Sequence, residues 1–266
     1  MGTLINADEN TMPMEIVTVP CLTDNYAFLA HNSANGQTAL IDAPQADPIL
    51  RVLDQRGWTL NQILITHHHD DHIAGIARIV AKTGARVLGA AADAHRLPPL
   101  DHAFAAGDSI RIGDEAGEVI DVSGHTIGHV AFHFPQSAAV FTADSLMALG
   151  CGRLFEGTPA QMWSSLSKLA ALPPETVVYS GHEYTAANAR FAKTIEPDNP
   201  DLTARIQRIE AARAAGIPTV PSTLAEELAT NPFLRAGLSD VKSAINMVSA
   251  TDVEVFTEIR RRKDAF

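Results

Sequence analysis

The sequence predicts an α/β layered domain followed by a smaller helical region, and three observations carry that reading. Up to about residue 183, short β-rich runs alternate with turns and helical stretches, the pattern of sheets covered by helices. Beyond about Ala186 the segments become amphipathic helices, with no convincing strand. Several apolar runs of the first part also end in a histidine or an aspartate, which gives the layered domain a polar edge.

Taken in order, the expected strands are 15–20, 26–31, 38–43, 62–67, 85–90, 117–123, 129–134, 138–144 and 176–181. Each is alternating or continuously apolar and is bounded by Gly, Pro, Asn or Asp. Helices are expected at about 46–56, 72–83, 159–171 and 184–195. The later stretches LTARIQRIEAARAAG, LAEELATN and VEVFTEIRRRK read as further helices, separated by turn signals at 196–200 and 216–223. The expected division is a flexible tail at 1–13, an α/β domain at 14–185 and a smaller helical domain at 186–266.

The formal charge of −11, from 20 basic and 31 acidic residues, argues against a nucleic-acid or anionic-membrane binder, since both need a positive field. Two cysteines, Cys21 and Cys151, are too few for a disulfide framework. The start, MGTLINADENTMP, has neither a basic cluster nor an apolar run, and no segment approaches the roughly 20 apolar residues of a membrane span. The expectation is a soluble, cytoplasmic monomer.

The polar edge is the informative feature. Asp42 ends TALID, His67 ends ILITH, His125 follows EVIDVSG, Asp144 ends VFTAD, and His182 follows VVYSG. Ligand sites in α/β sheets lie beyond the carboxyl ends of strands, so five such ends match what a metal site requires. Within THHHDDH, His67 and His69 are two apart and project from one side of an extended segment. Asp71 and His72 follow where the chain enters a helix and aim elsewhere. One loop can therefore serve two ions: His67, His69 and His125 at one, Asp71, His72 and His182 at the other, with Asp144 between them. Nitrogen and oxygen donors without cysteine suit zinc, and also iron or manganese. His68 and Asp70 occupy alternate positions and are expected to face away. His129 and His133 read as core or hydrogen-bonding residues. Asp42 reads equally as a carboxylate that orients a ligand or as a turn cap.

THHHDDH, GHTIGH (124–129), FTADSL (141–146) and GHEYT (181–185) together resemble the metallo-β-lactamase fold superfamily. LTDNY (22–26), GCGRLFEGT (150–158), EPDN (196–199), NPFLR (231–235) and RRRKDAF (260–266) narrow the resemblance to the glyoxalase II family of hydroxyacylglutathione hydrolases, over nearly the whole chain. The resemblance implies an αββα sandwich followed by a helical substrate-binding domain, with the same two metal sets and Asp71 and Asp144 in catalytic positions. It further implies that Arg153, Phe155, Tyr184, Arg260 and Lys263 contact glutathione. Some relatives carry a tyrosine at the position of Phe155, so a hydroxyl contact is missing here while the stacking surface remains. Read without the family, the basic run at 259–263 is equally well a helix C-terminus complementing its dipole.

The expected activity is hydrolysis of a glutathione thioester, chiefly S-D-lactoylglutathione, with a hydroxide held between two divalent ions as nucleophile. A thiolate leaving group, whose conjugate acid has a pKa of about 8.5, departs without much protonation, so no dedicated acid is required. The alternative is a glutathione persulfide dioxygenase, a mononuclear iron oxidoreductase on the same fold. The complete second ligand set and the long helical C-terminal region weigh against it.

Overall fold

The computed structural model describes residues 12–266; the rest of the expected tail at 1–13 lies outside the described residues. Two six-stranded sheets stack face to face. The first contains β1 (Glu15–Cys21), β2 (Asn25–Asn32), β3 (Gln37–Ile41), β4 (Leu60–Leu64), β5 (Arg86–Ala90) and β6 (His102–Phe104) in chain order. Its first three strands are antiparallel, whereas β3 to β6 run parallel. Next come β7 (Ser109–Ile112), β8 (Glu115–Asp121), β9 (Val130–Phe134) and β10 (Ala139–Ala143), a two-stranded hairpin of β11 (Leu146–Met147) and β12 (Gly150–Cys151), then β13 (Val177–Ser180) and β14 (Ser222–Thr223). The second sheet has the order β14-β13-β10-β9-β8-β7.

Strand periodicity explains the layering. In β2, Tyr26, Phe28 and Ala30 face the second sheet, where they meet Phe132, Phe134 and Phe141. Ala27 and Leu29 face the other way, toward Ile49 and Leu53 of α1 (Ala46–Arg56). After the short helix α2 (Asp70–Ile73), α3 (Ile76–Thr83) covers the same outer face with Ile76 and Ile79. On the opposite outer face, Met162, Leu166 and Leu169 of α4 (Pro159–Ala170) pack with Val140 and Val178. The result is an αββα sandwich, as expected. The chain then continues through α5 (Thr185–Ile195), α6 (Pro200–Ala214), α7 (Leu224–Thr230), α8 (Ser239–Ala244) and α9 (Asp252–Ala265).

All nine expected strands form, with ends displaced by no more than three residues. The short strands β6, β7, β11, β12 and β14 were not anticipated. β14 corrects the reading that no strand follows Ala186: Ser222 and Thr223 pair with Val178 and Val177. Two residues carry no readable period, and this pairing is set by a distant partner. The single helix expected at 72–83 is broken at Gly75. The Gly75 amide donates to the Ala43 carbonyl (2.8 Å), and a Cβ at Gly75 would stand 2.8 Å from that same oxygen. Close backbone contact with the end of β3 therefore replaces the helical bond.

The C-terminal helices are tied to the sandwich by buried polar groups. Glu227, fully buried, accepts the Arg205 guanidinium, the Ser222 hydroxyl (2.6 Å), the Leu149 amide (2.8 Å) and the Asn231 side chain (3.0 Å). Asn231 also donates to the carbonyls of Met147 and Gly150. Glu196 of EPDN holds Arg235 of NPFLR through two bonds of 2.8 and 2.9 Å. These family stretches are thus structural fasteners, NPFLR reaching the β11–β12 hairpin through Asn231 and EPDN holding NPFLR in turn. Because Arg205 is buried too, Glu227→Ala should cost about 3–5 kcal/mol in chemical denaturation. A loss below about 1 kcal/mol would show that Arg205 finds another counter-charge.

Candidate metal centre and its cleft

Both sheets deliver polar residues to one edge. Backbone bonds from Tyr26 to Gly181 (2.8 Å) and from Val130 to Thr66 (3.0 Å) join the sheets there. Beyond β3, Asp42 adopts a left-handed backbone (φ 56°) and accepts the Thr66 amide (2.9 Å), the Thr66 hydroxyl (2.7 Å) and His72 Nδ1 (2.8 Å). Asp42 is therefore an orienting carboxylate.

The histidine tautomers follow from these partners. Thr66 gives its proton to Asp42, so its oxygen accepts from His67 Nδ1 (3.0 Å). His125 Nδ1 donates to the Arg153 carbonyl (2.7 Å), and His182 Nδ1 to Asp24 (2.9 Å). Each of these rings, with His72, therefore presents its Nε2 to the interior. His69 Nδ1 lies 3.2 Å from His67 Nε2 and 3.1 Å from His125 Nε2. Nitrogens bound about 2.0–2.1 Å from one tetrahedral ion stand about 3.3 Å apart, so this spacing fits a shared cation.

The second group has the same character. Asp71 Oδ2 lies 3.8 Å from His72 Nε2 and 3.5 Å from His182 Nε2. Asp144 joins the two groups, because its Oδ2 is 3.5 Å from His125 Nε2 and 3.3 Å from His182 Nε2. Its Oδ1 and His72 Nε2 are buried without any hydrogen-bond partner. Such orphaned atoms are costly unless a cation meets them. Both triads could hold a metal ion. A third grouping, Asp42 with His67 and His72, is equally close, but the Asp42 oxygens are already occupied.

The electrostatics agree. Burial, reinforced by neighbouring imidazoles, pushes His67 well below the usual histidine range and keeps it neutral. For His72 burial acts in the same direction, but Asp144 and Asp42 outweigh it and raise the ring to about 9. Burial would raise Asp144, yet His72 and His182 hold it far below the carboxylate range. Negative charge therefore stays in the interior, balanced by the His72 proton or by a cation in its place.

A cleft of about 410 Å³ opens over the cluster and brings the remaining expected residues together. Arg153, Phe155, Tyr184, Arg260 and Lys263 all line it, beside His69, Asp71, His125, Asp144 and His182. Tyr184 stacks on His182 (4.6 Å between centroids, 7° between planes), and Phe155 meets the rings of His69 and His125 edge-on. Arg260 is buried and donates to the Cys151 carbonyl (2.9 Å) and to Asp264 (2.8 Å). Lys263 Nζ lies over Phe191 and Phe266. Arg261 and Arg262 instead turn to Glu258.

His68 does face away, onto Asp93 (3.0 Å). His129 stacks on His67 (4.5 Å, 11°), with both ring nitrogens unpartnered. The Cys151 thiol, in β12, is buried and pushed up to about 11, an unreactive thiol. Sequence reading gave no individual role to Asp24, which orients His182, or to Asn25, which bonds Asp71 through Oδ2 and through the carbonyl (both 3.0 Å). Their signal was the stretch LTDNY, met there only as a family motif.

The family model of the Metallo-beta-lactamase superfamily matches residues 25–182, and that of the Hydroxyacylglutathione hydrolase C-terminus matches 183–266. The hydroxyacylglutathione hydrolase of Jannaschia sp. (strain CCS1) is 69% identical over 252 residues, 95% of this chain and 98% of the relative. That of Cereibacter sphaeroides (strain ATCC 17023) is 64% identical over 255 residues, 96% of this chain and all of the relative. The chain belongs to the hydroxyacylglutathione hydrolase family.

The protein TTHA1623, solved in a di-iron-bound form, is also similar in structure, with a TM-score of 0.60 and 26% identity over 82% of this chain and 98% of that one. The hydroxyacylglutathione hydrolase C-terminal match contains Tyr184, Arg260 and Lys263, whereas the superfamily match contains the triads, Asp144, Arg153 and Phe155. The two matched regions face each other across the cleft. Asp42→Asn preserves side-chain shape and tolerates the left-handed backbone but removes the charge behind His72. It should weaken divalent-metal affinity about tenfold or more in chelator competition. Unchanged affinity would mean that Asp42 has no part in orienting that ring.

Proposed function

We propose that the enzyme hydrolyses S-(2-hydroxyacyl)glutathione thioesters, chiefly S-D-lactoylglutathione, to glutathione and D-lactate, a step in methylglyoxal detoxification. The observation that carries this reading is the shared cleft: a cation-seeking His/Asp cluster and a basic wall open into the same 410 Å³. The names of the curated relatives support the reaction class. They leave the persulfide dioxygenase alternative with less support.

His67, His69 and His125 would hold one divalent ion, and Asp71, His72 and His182 the other, with Asp144 shared. Zinc is the first choice, and iron or manganese also suit this donor set. Such ions supply acidified water and a Lewis acid for the thioester carbonyl. The side chains around them bind and orient the substrate. Lys263 makes no ion pair among the described residues, and burial with Arg260 nearby lowers its basicity, so a substrate carboxylate would relieve it. Arg260, whose Nε is buried without a partner, and Arg153 extend the same positive wall. Tyr184 lines the cleft beside His182, and Phe155, 62% exposed, offers a stacking face without a hydroxyl. Among the described residues no helix is long and apolar enough to cross a membrane. The proposal includes a cytoplasmic, monomeric enzyme.

Glutathione recognition is tested by comparing kcat/KM for S-D-lactoylglutathione with that for a lactoyl thioester of a small uncharged thiol. A loss of about two orders of magnitude on the second, about 2.7 kcal/mol, is expected. Equal rates would remove the basic wall from the account. Asp144→Ala should release metal, read by elemental analysis, and abolish turnover. Full metal content together with full activity would refute its bridging role.

A further inference from the structure

The strap from Gly152 to Thr158 carries Arg153 and Phe155 to the cleft, and one side chain outside the cleft ties it down. Glu156 accepts both terminal nitrogens of Arg96 and the Ile127 amide (2.7 Å). The same guanidinium donates to the Ile127 carbonyl (2.8 Å), while its Nε is bound to Asp93. Asp93 is buried and takes the ring of His68 through its other oxygen (3.0 Å). Arg96 therefore joins three segments that each bear cleft residues: the loop of His67 and His69, the loop of His125, and the strap. Its planar fork makes this possible, where the point charge of a lysine would not. The Arg96 bond holds the Glu156 carboxyl at about 2, so the pair stays ionised at every working pH.

We infer that Arg96, with Glu156, is a positioning residue that fixes the substrate-reading strap against the His125 loop and so sets affinity for the thiol half of the substrate. Its catalytic consequence rests on the hydrolase reading above; its mechanical one does not. Two strap amides report on it directly, because Phe155 and Gly157 donate to the carbonyls of His125 (3.2 Å) and Gly124 (3.1 Å). A residue that merely stabilised the fold would affect all substrates alike. The Glu156 bond acts at the far end of the strap, since the Arg153 carbonyl that orients His125 sits next to Gly152, whose amide is held separately by the Ser145 carbonyl (3.1 Å).

The experiment compares Glu156→Gln, Arg96→Met and the double variant with the metal-loaded wild type. Expected are faster hydrogen exchange at the Phe155 and Gly157 amides and a KM for S-D-lactoylglutathione raised about tenfold with kcat retained. In Glu156→Gln, which leaves the Asp93 pair intact, hydrolysis of a small-thiol lactoyl thioester should be unchanged, and the double variant should be no worse than the poorer single one. Unchanged exchange at both amides, or equal losses on both substrates, overturns the inference. Should Arg96→Met unfold because Asp93 loses its partner, Glu156→Gln leaves that pair intact and decides alone. A wild type inert toward the glutathione thioester would defeat the hydrolase reading, and amide exchange would then decide the clamp.

Discussion

The structure depends on how the buried charge of Asp144 is balanced. Its carboxylate lies at the end of β10 among His72, His125 and His182, with one oxygen that no hydrogen bond reaches. In a protein interior such a group forces neutralisation, pairing or metal binding. Here the surrounding imidazoles have their outward nitrogens committed to Asp42, Asp24, Thr66 and the Arg153 carbonyl, so their Nε2 atoms face inward, where a metal ion would displace any proton they carry. Lone pairs and carboxylates converging on one volume are complementary to cations and to little else.

That requirement reaches well beyond the ligands. A Cβ at Gly152 would stand 2.0 Å from the Asp144 carbonyl, and one at Gly181 would stand 2.6 Å from Asp144 Oδ1. Glycine at both places lets the strap and the β13 end approach the carboxylate. The β11–β12 hairpin that follows Asp144 is gripped by Glu227 and Asn231, which anchor the C-terminal helices. The helices in turn bring Arg260 and Lys263 over the cleft. Charge balance at the centre and the proposed substrate recognition at the rim are therefore parts of one packing arrangement.

Much of this was legible in the sequence because burial on both faces makes strands apolar, and a polar residue ending such a run stands out. Asp42, His67, Asp144 and His182 were found in that way. The hidden residues share a different cause. Asp24 and His182 are 158 positions apart, and Arg96 and Glu156 are 60 apart. Each looks like an ordinary polar residue until the fold supplies its partner. β14 is two residues long and takes its structure from β13. The break at Gly75 reflects contact with Ala43 rather than any local helix signal. Periodicity reports local burial, whereas pairing across the chain has no local signature.

The most direct measurement is anomalous-scattering crystallography of the metal-loaded protein with glutathione. The account predicts two metal peaks, one among His67, His69 and His125 and the other among Asp71, His72 and His182, with Asp144 touching both. It also predicts a glutathione carboxylate beside Arg260 and Lys263. A single peak, or glutathione bound away from the basic wall, would contradict it.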